Sequence, residues 1–210
     1  MRIYIGGNSG VGKTTIAKQF AEKNGEYTSL SDTQIIMDTY NVKSLSEIVG
    51  KKIEIDKLSE EYLKYENLIV DGHFNNMKPK NGCFDAFVFI VADSNEVQMR
   101  RILDKTRGRE TDIESVKIEE FQTFNAVKDC GISPIYVLKN RKGKLDETID
   151  MLDEIVKFKE KKIEKLSNRI MTFDDYIKVY EPPYSYYEYR DIDIERIRRD
   201  SKNGHSNARE

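Results

Sequence analysis

The chain reads Gly7-Asn8-Ser9-Gly10-Val11-Gly12-Lys13-Thr14 close to its amino terminus, and this stretch decides the fold. It fits the pattern G-x-x-x-x-G-K-[ST] at every fixed position, and it lies between a strand-like run, Arg2 to Ile5, and an amphipathic start over residues 16–20. Glycines let successive backbone N–H groups curl around a phosphate, and a helix beginning near Gly12 points its positive end at the same place. The stretch therefore predicts a phosphate-binding loop (P-loop, or Walker A motif) between a strand and a helix.

The P-loop predicts a nucleoside triphosphate as ligand, with ATP and Mg²⁺ as the expected cofactors. Lys13 would reach the β- and γ-phosphates, and the Thr14 hydroxyl would hold Mg²⁺. A glycine-rich turn with a surface lysine is the alternative, and the strand-loop-helix context disfavours it. The residues expected to bind the cofactor here are Gly7, Asn8, Ser9, Gly10, Val11, Gly12, Lys13, Thr14 and Thr15.

Strand-like and helical stretches alternate along the chain, which predicts an α/β fold with a doubly wound, parallel, five-stranded sheet and helices on both faces. The run Ala86 to Val91 is apolar at consecutive positions, as expected of a central strand covered on both faces. Thr111 and Glu114 form a capping-box pattern at the start of one helix, and another helix is expected from about Leu145 to near Leu166. The expected strands are Arg2 to Ile5, Tyr27 to Leu30, Leu68 to Val70, Ala86 to Val91 and Pro134 to Leu138.

The composition changes after residue 166, so we expect a P-loop domain over residues 1–166, with a lid at about 100–112, and a tyrosine-rich extension over 167–210 that is partly disordered at its end. Residues 184–210 carry six basic and six acidic side chains, a balance that argues against nucleic-acid binding. The tyrosines are expected to pack on the domain or to meet a protein partner. The lysine-rich residues 157–165 keep RNA contact open as an alternative.

Charge and hydropathy limit the partners further. The 210 residues include 35 basic and 37 acidic ones, so no global positive charge is available for a polyanion. The longest apolar run, Ala86 to Ala92, is far shorter than the roughly 20 residues that span a bilayer. A predicted strand follows Met1 almost at once, so we expect no targeting leader, no membrane contact and a cytoplasmic location. Cys83 and Cys130 have no paired spacing, and we expect both to be reduced.

Polar residues at predicted strand ends are candidates for the chemistry. Asp71 follows the third strand and could orient Mg²⁺ or accept a proton, so Thr14 and Asp71 are the expected metal ligands. His73 could contact the acceptor or be a structural group beside a chain reversal. Asp32 could bind an acceptor hydroxyl, but capping of the next helix by Ser31 or Asp32 is the favoured interpretation.

A further group of candidate residues consists of four arginines: Arg100, Arg101, Arg107 and Arg109. Phosphoryl transfer needs positive charge over the oxygens of the moving group, and guanidinium groups supply it in bidentate geometry. A solvated basic helix end is the alternative. Arg107 and Arg109 flank Gly108 at an expected helix-to-helix connection, so they are the preferred catalytic residues together with Lys13 and Asp71.

The sequence resembles the archaeal-type adenylate kinases and their small adenylate kinase-like relatives, which are also linked to ribosome assembly. The resemblance covers roughly residues 1–160. It implies that Arg107 and Arg109 belong to a lid that closes over two nucleotides, and that Asn140, Lys142 and Gly143 lie against the adenine of ATP. The stretches that carry it are Gly7 to Thr14, Val70 to His73, Arg100 to Arg109, Phe121 to Asn125 and Val137 to Gly143.

The chain departs from that family in the acceptor region, because no arginine occurs between Arg2 and Arg100. An AMP phosphate would have to be met by Lys43, Lys51, Lys52 or backbone amides, and lysine lacks the planar fork of arginine. We therefore expect an ATP- and Mg²⁺-dependent kinase that transfers the γ-phosphoryl group to a nucleoside monophosphate. The alternatives are a slow P-loop ATPase that acts in ribosome or protein assembly and, third, a small-molecule kinase whose acceptor hydroxyl meets Asp32.

Overall fold

The structure is a computed structural model that describes residues 1–48, 54–73, 82–104 and 110–183. Several predictions fall on the remaining positions. Arg107 and Arg109, Lys51 and Lys52, and the extension from residue 184 onwards lie outside the described residues.

A six-stranded sheet with the order β2-β3-β1-β4-β5-β6 is the centre of the described part of the fold. Its first five strands are parallel, and β6 is antiparallel to β5 through the pairs Tyr136↔Thr172 and Val137↔Met171. The five predicted strands are all present: β4 has the predicted bounds, and the other four differ by one or two residues at one or both ends. The predicted strand number is corrected to six, because a two-residue edge strand has no alternation that a sequence pattern could reveal. The bounds are β1 Arg2–Gly7, β2 Thr28–Ser31, β3 Leu68–Asp71, β4 Ala86–Val91, β5 Ile135–Lys139 and β6 Met171–Thr172.

Seven α-helices are described around this sheet, together with a short 3₁₀ turn at Leu45–Ile48. Alternate residues of the strands point into two separate hydrophobic clusters, one on each face. Ile3 and Ile5 belong to the first cluster, and Tyr4 belongs to the second. The predicted doubly wound arrangement is therefore confirmed. The helices are α1 Lys13–Lys23, α2 Asp32–Tyr40, α3 Ile55–Leu63, α4 Ser94–Leu103, α5 Ile113–Lys128, α6 Leu145–Lys159 and α7 Phe173–Tyr176.

Two predicted helix ends are wrong. The cap of α5 is Asp112, whose side chain accepts a hydrogen bond from the Ser115 N–H at 2.7 Å, and not Thr111. The helix α6 ends at Lys159 rather than near Leu166, because Lys161 adopts a left-handed φ of 58°. The Lys161 N–H donates to the Phe158 carbonyl at 3.0 Å and the Lys162 N–H to the Lys157 carbonyl at 2.8 Å, which is a Schellman motif.

The described part of the tyrosine-rich segment packs on the sheet. Phe173 is buried in the second hydrophobic cluster, and the Tyr180 ring stacks on Phe124 with a centroid distance of 4.4 Å. The Tyr180 hydroxyl donates to Glu120 at 2.8 Å. The core of the P-loop domain thus continues beyond residue 166, at least as far as Tyr180. Among the helices that the structure describes, none is both long and apolar enough to cross a membrane.

Candidate active site

The P-loop connects β1 to α1 in the structure. Gly12 precedes the first residue of α1 and has a φ of 99°, a conformation that L side chains rarely adopt. A Cβ atom at this position would lie 2.5 Å from Asn140 Nδ2. The first N–H groups of a helix have no intrahelical acceptor, so the start of α1 presents donors to an anion in the loop.

Lys13, the first residue of α1, is buried within the loop with 7% of its surface exposed. Its ammonium group donates to the carbonyl oxygens of Gly7 at 2.8 Å and of Asn8 at 2.9 Å. The cation therefore lies inside the curl of the backbone, where the outer phosphates of a bound nucleotide are expected.

Thr14 and Asp71 are in direct contact although they are 57 residues apart in sequence. The Thr14 hydroxyl donates to Asp71 Oδ2 at 2.7 Å. Asp71 is the last residue of β3 and pairs with Ile5 of β1, which places its carboxylate beside the P-loop. A hydroxyl and a carboxylate are hard oxygen ligands of the kind that Mg²⁺ prefers. The two residues predicted as metal ligands are thus together, and their donor atoms fit the ion.

Arg101 supports the P-loop from outside. Its guanidinium group is buried, with the residue 3% exposed, and donates to the Ser9 carbonyl at 2.8 Å and to Glu119 at 2.5 Å. Glu119 in turn accepts a hydrogen bond from the Ser9 N–H at 2.8 Å. Arg101 also donates to the Glu110 carbonyl at 3.3 Å. The Arg101 side chain therefore connects the P-loop to α5 and to Glu110.

Arg100 and Asn140 hold the next turn of the loop. Arg100 donates to the Val11 carbonyl at 3.0 Å, and the Asn140 side-chain amide donates to the same oxygen at 2.7 Å. In a trans peptide the C=O of one residue and the N–H of the next point in opposite directions. Donors on the Ser9 and Val11 carbonyls therefore favour N–H groups of Gly10 and Gly12 that point to the opposite side of the backbone. The sequence did not reveal this role, because it depends on contacts about 90 and 129 residues apart.

The segment predicted to meet adenine lies next to the P-loop, but two of its N–H groups are engaged. The Asn140 N–H donates to the Val91 carbonyl at 2.8 Å, and the Lys142 N–H donates to Glu96 at 3.0 Å. Gly143 follows with a φ of 71° just before α6. The adenine contact implied by the resemblance stays a prediction, and it would have to use other groups of this segment.

Asp32 forms a buried cluster with two tyrosines, which we call the Asp32 cluster (Tyr4, Asp32 and Tyr62). Asp32 is 4% exposed and accepts hydrogen bonds from the hydroxyls of Tyr4 at 2.5 Å and Tyr62 at 2.9 Å. Ser31 is the cap of α2, since its hydroxyl accepts from the Gln34 N–H at 3.2 Å, so Asp32 is free of the capping role considered for it. The cluster was not predicted, because its members come from β1, α2 and α3.

The charge of Asp32 is sensitive to its surroundings. Burial raises the pKa of Asp32 to about 7, although the two tyrosine hydrogen bonds act in the opposite direction. Asp71 raises this pKa further and Lys13 lowers it, so the carboxyl group lies within electrostatic range of both. A Cβ atom on Gly72 would lie 1.8 Å from Asp32 Oδ2, which explains a glycine directly after Asp71. His73 follows, half-buried, and its acceptor contact stays a prediction.

These features define a P-loop nucleotide-binding protein: a strand, a glycine-rich loop and a helix, with a hydroxyl-carboxylate pair at the carboxyl edge of a parallel sheet. Residues 3–122 match the family model described as AAA domain, and the chain belongs to this family. Together with the relatives below, this match confirms the predicted membership of the adenylate kinase-like P-loop kinases.

Two kinds of relatives support this assignment. The adenylate kinase of Thermoplasma volcanium is 27% identical over 185 residues, which cover 75% of this chain and all of that one. A protein of Pyrococcus abyssi, provisionally named adenylate kinase, is 42% identical over 84 residues, or 38% of this chain. A provisionally named adenylate kinase of Pyrococcus furiosus is 36% identical over 85 residues. The chain spans only 44% of the length of each Pyrococcus relative.

Solved structures confirm the fold. A shikimate kinase from Bacteroides thetaiotaomicron superposes with a TM-score of 0.57 at 17% identity, covering 75% of this chain and 98% of that one. The shikimate kinase from Aquifex aeolicus gives 0.53 at 16% identity, covering 75% and 97%. At these identities the likeness concerns the fold alone.

Proposed function

We propose that this protein is an ATP- and Mg²⁺-dependent phosphotransferase that moves the γ-phosphoryl group of ATP onto a nucleoside monophosphate. The observation that carries the proposal is the contact between Thr14 and Asp71 at the P-loop, beside the buried Lys13. The nucleotide acceptor is supported by the similarity to the Thermoplasma adenylate kinase over that protein's whole length.

The residues would divide the reaction as follows. Lys13 and the amides of the P-loop bind the phosphates, and Thr14 and Asp71 hold Mg²⁺, which would neutralise charge that develops on the phosphate oxygens. An acceptor oxygen bonds to the γ-phosphorus while the bond from that phosphorus to the β,γ-bridging oxygen breaks, so ADP leaves. Arg107 and Arg109 are proposed to neutralise the moving group. Catalysis rests on positioning and charge stabilisation rather than on a covalent intermediate.

A hydroxyl acceptor is the second candidate, and the Asp32 cluster is the observation that favours it. An anionic carboxylate beside Asp71 repels an acceptor phosphate but can accept a hydrogen bond from a substrate hydroxyl. The acceptor would exchange with a tyrosine hydroxyl on Asp32. The absence of arginine between Arg2 and Arg100 agrees with this candidate.

An acceptor-dependent ADP-release assay tests both candidates. The full chain is incubated with Mg²⁺ and ATP, alone and with AMP, GMP, CMP, UMP or a panel of polyols and hydroxy acids. We expect release to increase with one or more monophosphates, and Asp71→Asn to remove the increase. Stimulation by hydroxyl compounds alone would replace the first candidate by the second. A rate of ATP hydrolysis that no acceptor changes would contradict both kinase candidates. The remaining alternative would then be the slow P-loop ATPase that acts in assembly.

A further inference from the structure

A groove at the free edge of the sheet adjoins the site described above and shares Arg141 with the segment expected to meet adenine. It is formed by the carboxyl end of β5, the start of α6 and the chain that enters β6, with a volume of about 380 Å³. This volume is within the range of small-molecule pockets. The P-loop follows β1, and β4 lies between β1 and β5, so the groove is about 10 Å away across two strand spacings. We call it the edge groove.

The edge groove exists because β6 is short. Continuing the antiparallel register of Tyr136↔Thr172 and Val137↔Met171 would bring Arg169 opposite Lys139. The ladder stops before that pair, since Ile170 turns into the hydrophobic cluster on the α6 face and its N–H donates to the Ser167 carbonyl at 3.1 Å. The chain therefore separates from β5 at Lys139 and leaves an open space between two cationic side chains.

The charge of the edge groove is positive. Lys139, Arg141, Lys144 and Arg169 line it, against one lining carboxylate, Glu147. The whole chain has a net charge of -2, so this concentration of cations is local. Like charges that lie close together repel each other, as they do across neighbouring strands of a sheet. An anion in the groove would relieve the repulsion.

The existing ion pairs compensate this charge only in part. Lys144 pairs with Glu147 at 2.5 Å, and Arg169 lies 3.9 Å from Glu154. Within the described ranges, Lys139 and Arg141 form no salt bridge, and both are exposed. The pKa of Glu147 is lowered chiefly by its hydrogen bond from Lys144, with smaller effects of Arg169 and Arg141. Lys144, Arg169 and Arg141 therefore all lie within electrostatic range of Glu147 in the groove.

The floor of the edge groove is apolar. Met151 is buried there, Met171 is 42% exposed, and the Tyr176 ring completes the lining. Methionine side chains are flexible and polarizable, and they make favourable contacts with flat rings. A ligand that matches both halves of the groove has several negative charges and an apolar ring.

We propose that the edge groove is a second ligand site, which binds a small organic di- or triphosphate with its phosphates among the four cations and its ring on Met151, Met171 and Tyr176. No P-loop residue and no member of the Asp32 cluster lines the groove, although Arg141 belongs to the segment that is expected to meet adenine. Separate readouts at the groove and at the P-loop therefore distinguish this inference from the proposed function.

An NMR titration measures binding at the edge groove and at the P-loop separately in one experiment. The ¹⁵N-labelled full chain is titrated with pyrophosphate and, separately, with ADP, and amide shifts are followed at Lys139 and Arg169 for the edge groove and at Gly10 and Gly12 for the P-loop. We expect both ligands to shift both sets, and ADP to saturate the groove at a lower concentration than pyrophosphate because its ring adds contacts.

Matched variants locate the site. K139Q/R169Q is expected to weaken binding at the groove about a hundredfold, as two charge-assisted contacts worth about tenfold each are lost, while the P-loop titration stays within about twofold. The control K159Q/K165Q removes the same charge from exposed lysines beyond the groove and should change neither titration.

Four results would overturn the inference. Groove amides that shift with neither ligand exclude the site, and equal weakening by both double variants shows that only the overall charge matters. Equal affinity for pyrophosphate and ADP excludes the ring contact. Saturation by a short RNA but by neither small ligand shows a different occupant. Loss of the P-loop shifts alone would count against the proposed function and not against the groove.

Discussion

Arg101 shows how one buried side chain can hold the P-loop from outside the loop. Its four acceptors lie in three different segments, and only a planar fork reaches all of them at once. They are Asn8 Oδ1, the Ser9 carbonyl, Glu119 and the Glu110 carbonyl. The sequence predicted that the arginine run supplies charge for the moving phosphoryl group or, as the alternative, forms a solvated basic helix end. The structure instead places Arg100 and Arg101 on P-loop carbonyls.

Arg101→Lys keeps the charge but loses the fork, so the Ser9 peptide is held less firmly. We expect the Kd for MgATP to rise about tenfold, the effect of about one charge-assisted hydrogen bond. The KM for ATP should rise while the KM for the acceptor stays constant, a split that general loss of stability would not produce. Glu119→Gln should have a similar effect, and the double variant should cost less than the sum because the two residues act as a unit. An unchanged Kd in both single variants would contradict this role.

The contact between Thr14 and Asp71 predicts a specific dependence on Mg²⁺. Asp71→Asn preserves the shape of the side chain but removes the charge, so the Mg²⁺ concentration for half-maximal activity should rise at least about tenfold. Thr14→Ser, which keeps the hydroxyl, should restore most of the activity that Thr14→Ala loses. Magnesium titrations of ADP release measure both effects. An Asp71→Asn protein with an unchanged magnesium midpoint would rule out the metal role.

The Asp32 cluster predicts a pH-dependent stability. The pKa of Asp32 is raised from an ordinary value near 4 to about 7 in the folded protein, so the folded state binds the proton more tightly than the unfolded state. This contribution is complete below about pH 4 and is lost as the pH rises toward and beyond 7. From this group alone, we expect the wild type to be about 2–3 kcal/mol more stable at pH 5 than at pH 8.

Urea unfolding of the wild type and of Asp32→Asn at several pH values measures this contribution. The Asn variant resembles the neutral carboxyl group, so the difference between the two proteins isolates Asp32 from other titrating groups. The charged and titratable groups that act on it are Tyr4, Tyr62, Asp71 and Lys13. Parallel stability curves for the two proteins would show that Asp32 titrates normally.

Helix ends show what the sequence could not specify. The strands and the P-loop were predicted within one or two residues, because apolar runs and a glycine spacing are local signals. The end of α6 was placed several residues too late, since Lys161 takes the left-handed conformation without the glycine that usually marks it. Three other features depend on long-range contacts that no local pattern predicts. They are the Asp32 cluster, the strand β6 and the contacts of Arg100 and Arg101 with the P-loop.

Lys161→Gly should stabilise the protein, because glycine adopts a φ of 58° without the steric cost that lysine bears. We expect the free energy of unfolding to rise by about 0.5–1 kcal/mol. Lys159→Gly, two positions earlier and at the last residue of α6, should lower it by up to about 1 kcal/mol. Chemical denaturation of both variants gives the two values, and changes of equal sign would contradict the assignment of the helix end.

At the scale of the whole molecule, residues 173–180 pack on the core of the domain. Phe173 packs on Phe89 and Phe124 with centroid distances of 5.8 and 5.4 Å, so it ties α7 to both β4 and α5. Residues after position 166 also supply β6 and two of the three apolar lining residues of the edge groove, Met171 and Tyr176. The composition after residue 166 predicted a separate unit, whereas Phe173, Tyr176 and Tyr180 share the domain's second hydrophobic cluster.

Phe173→Ala should therefore destabilise the whole domain and not only the segment. We expect a loss of about 3–5 kcal/mol, the usual cost of removing a buried phenylalanine ring. Val179→Ala, at a position that is 65% exposed, serves as the control and should change stability by less than about 0.5 kcal/mol. Thermal unfolding followed by circular dichroism compares the two. A similar melting temperature for both would show that the segment folds apart from the domain.

The two residues of β6 have a consequence for handling the protein. They cover hydrogen-bonding groups on the outer side of β5 at Tyr136 and Val137, a strand that is otherwise apolar and buried. Proteolytic cleavage just upstream of Met171 would weaken the pairing of β6 with β5. The exposed backbone groups of β5 could then pair with strands of neighbouring molecules. Preparations clipped at this point would be expected to aggregate, so intact mass is a useful check before any kinetic measurement.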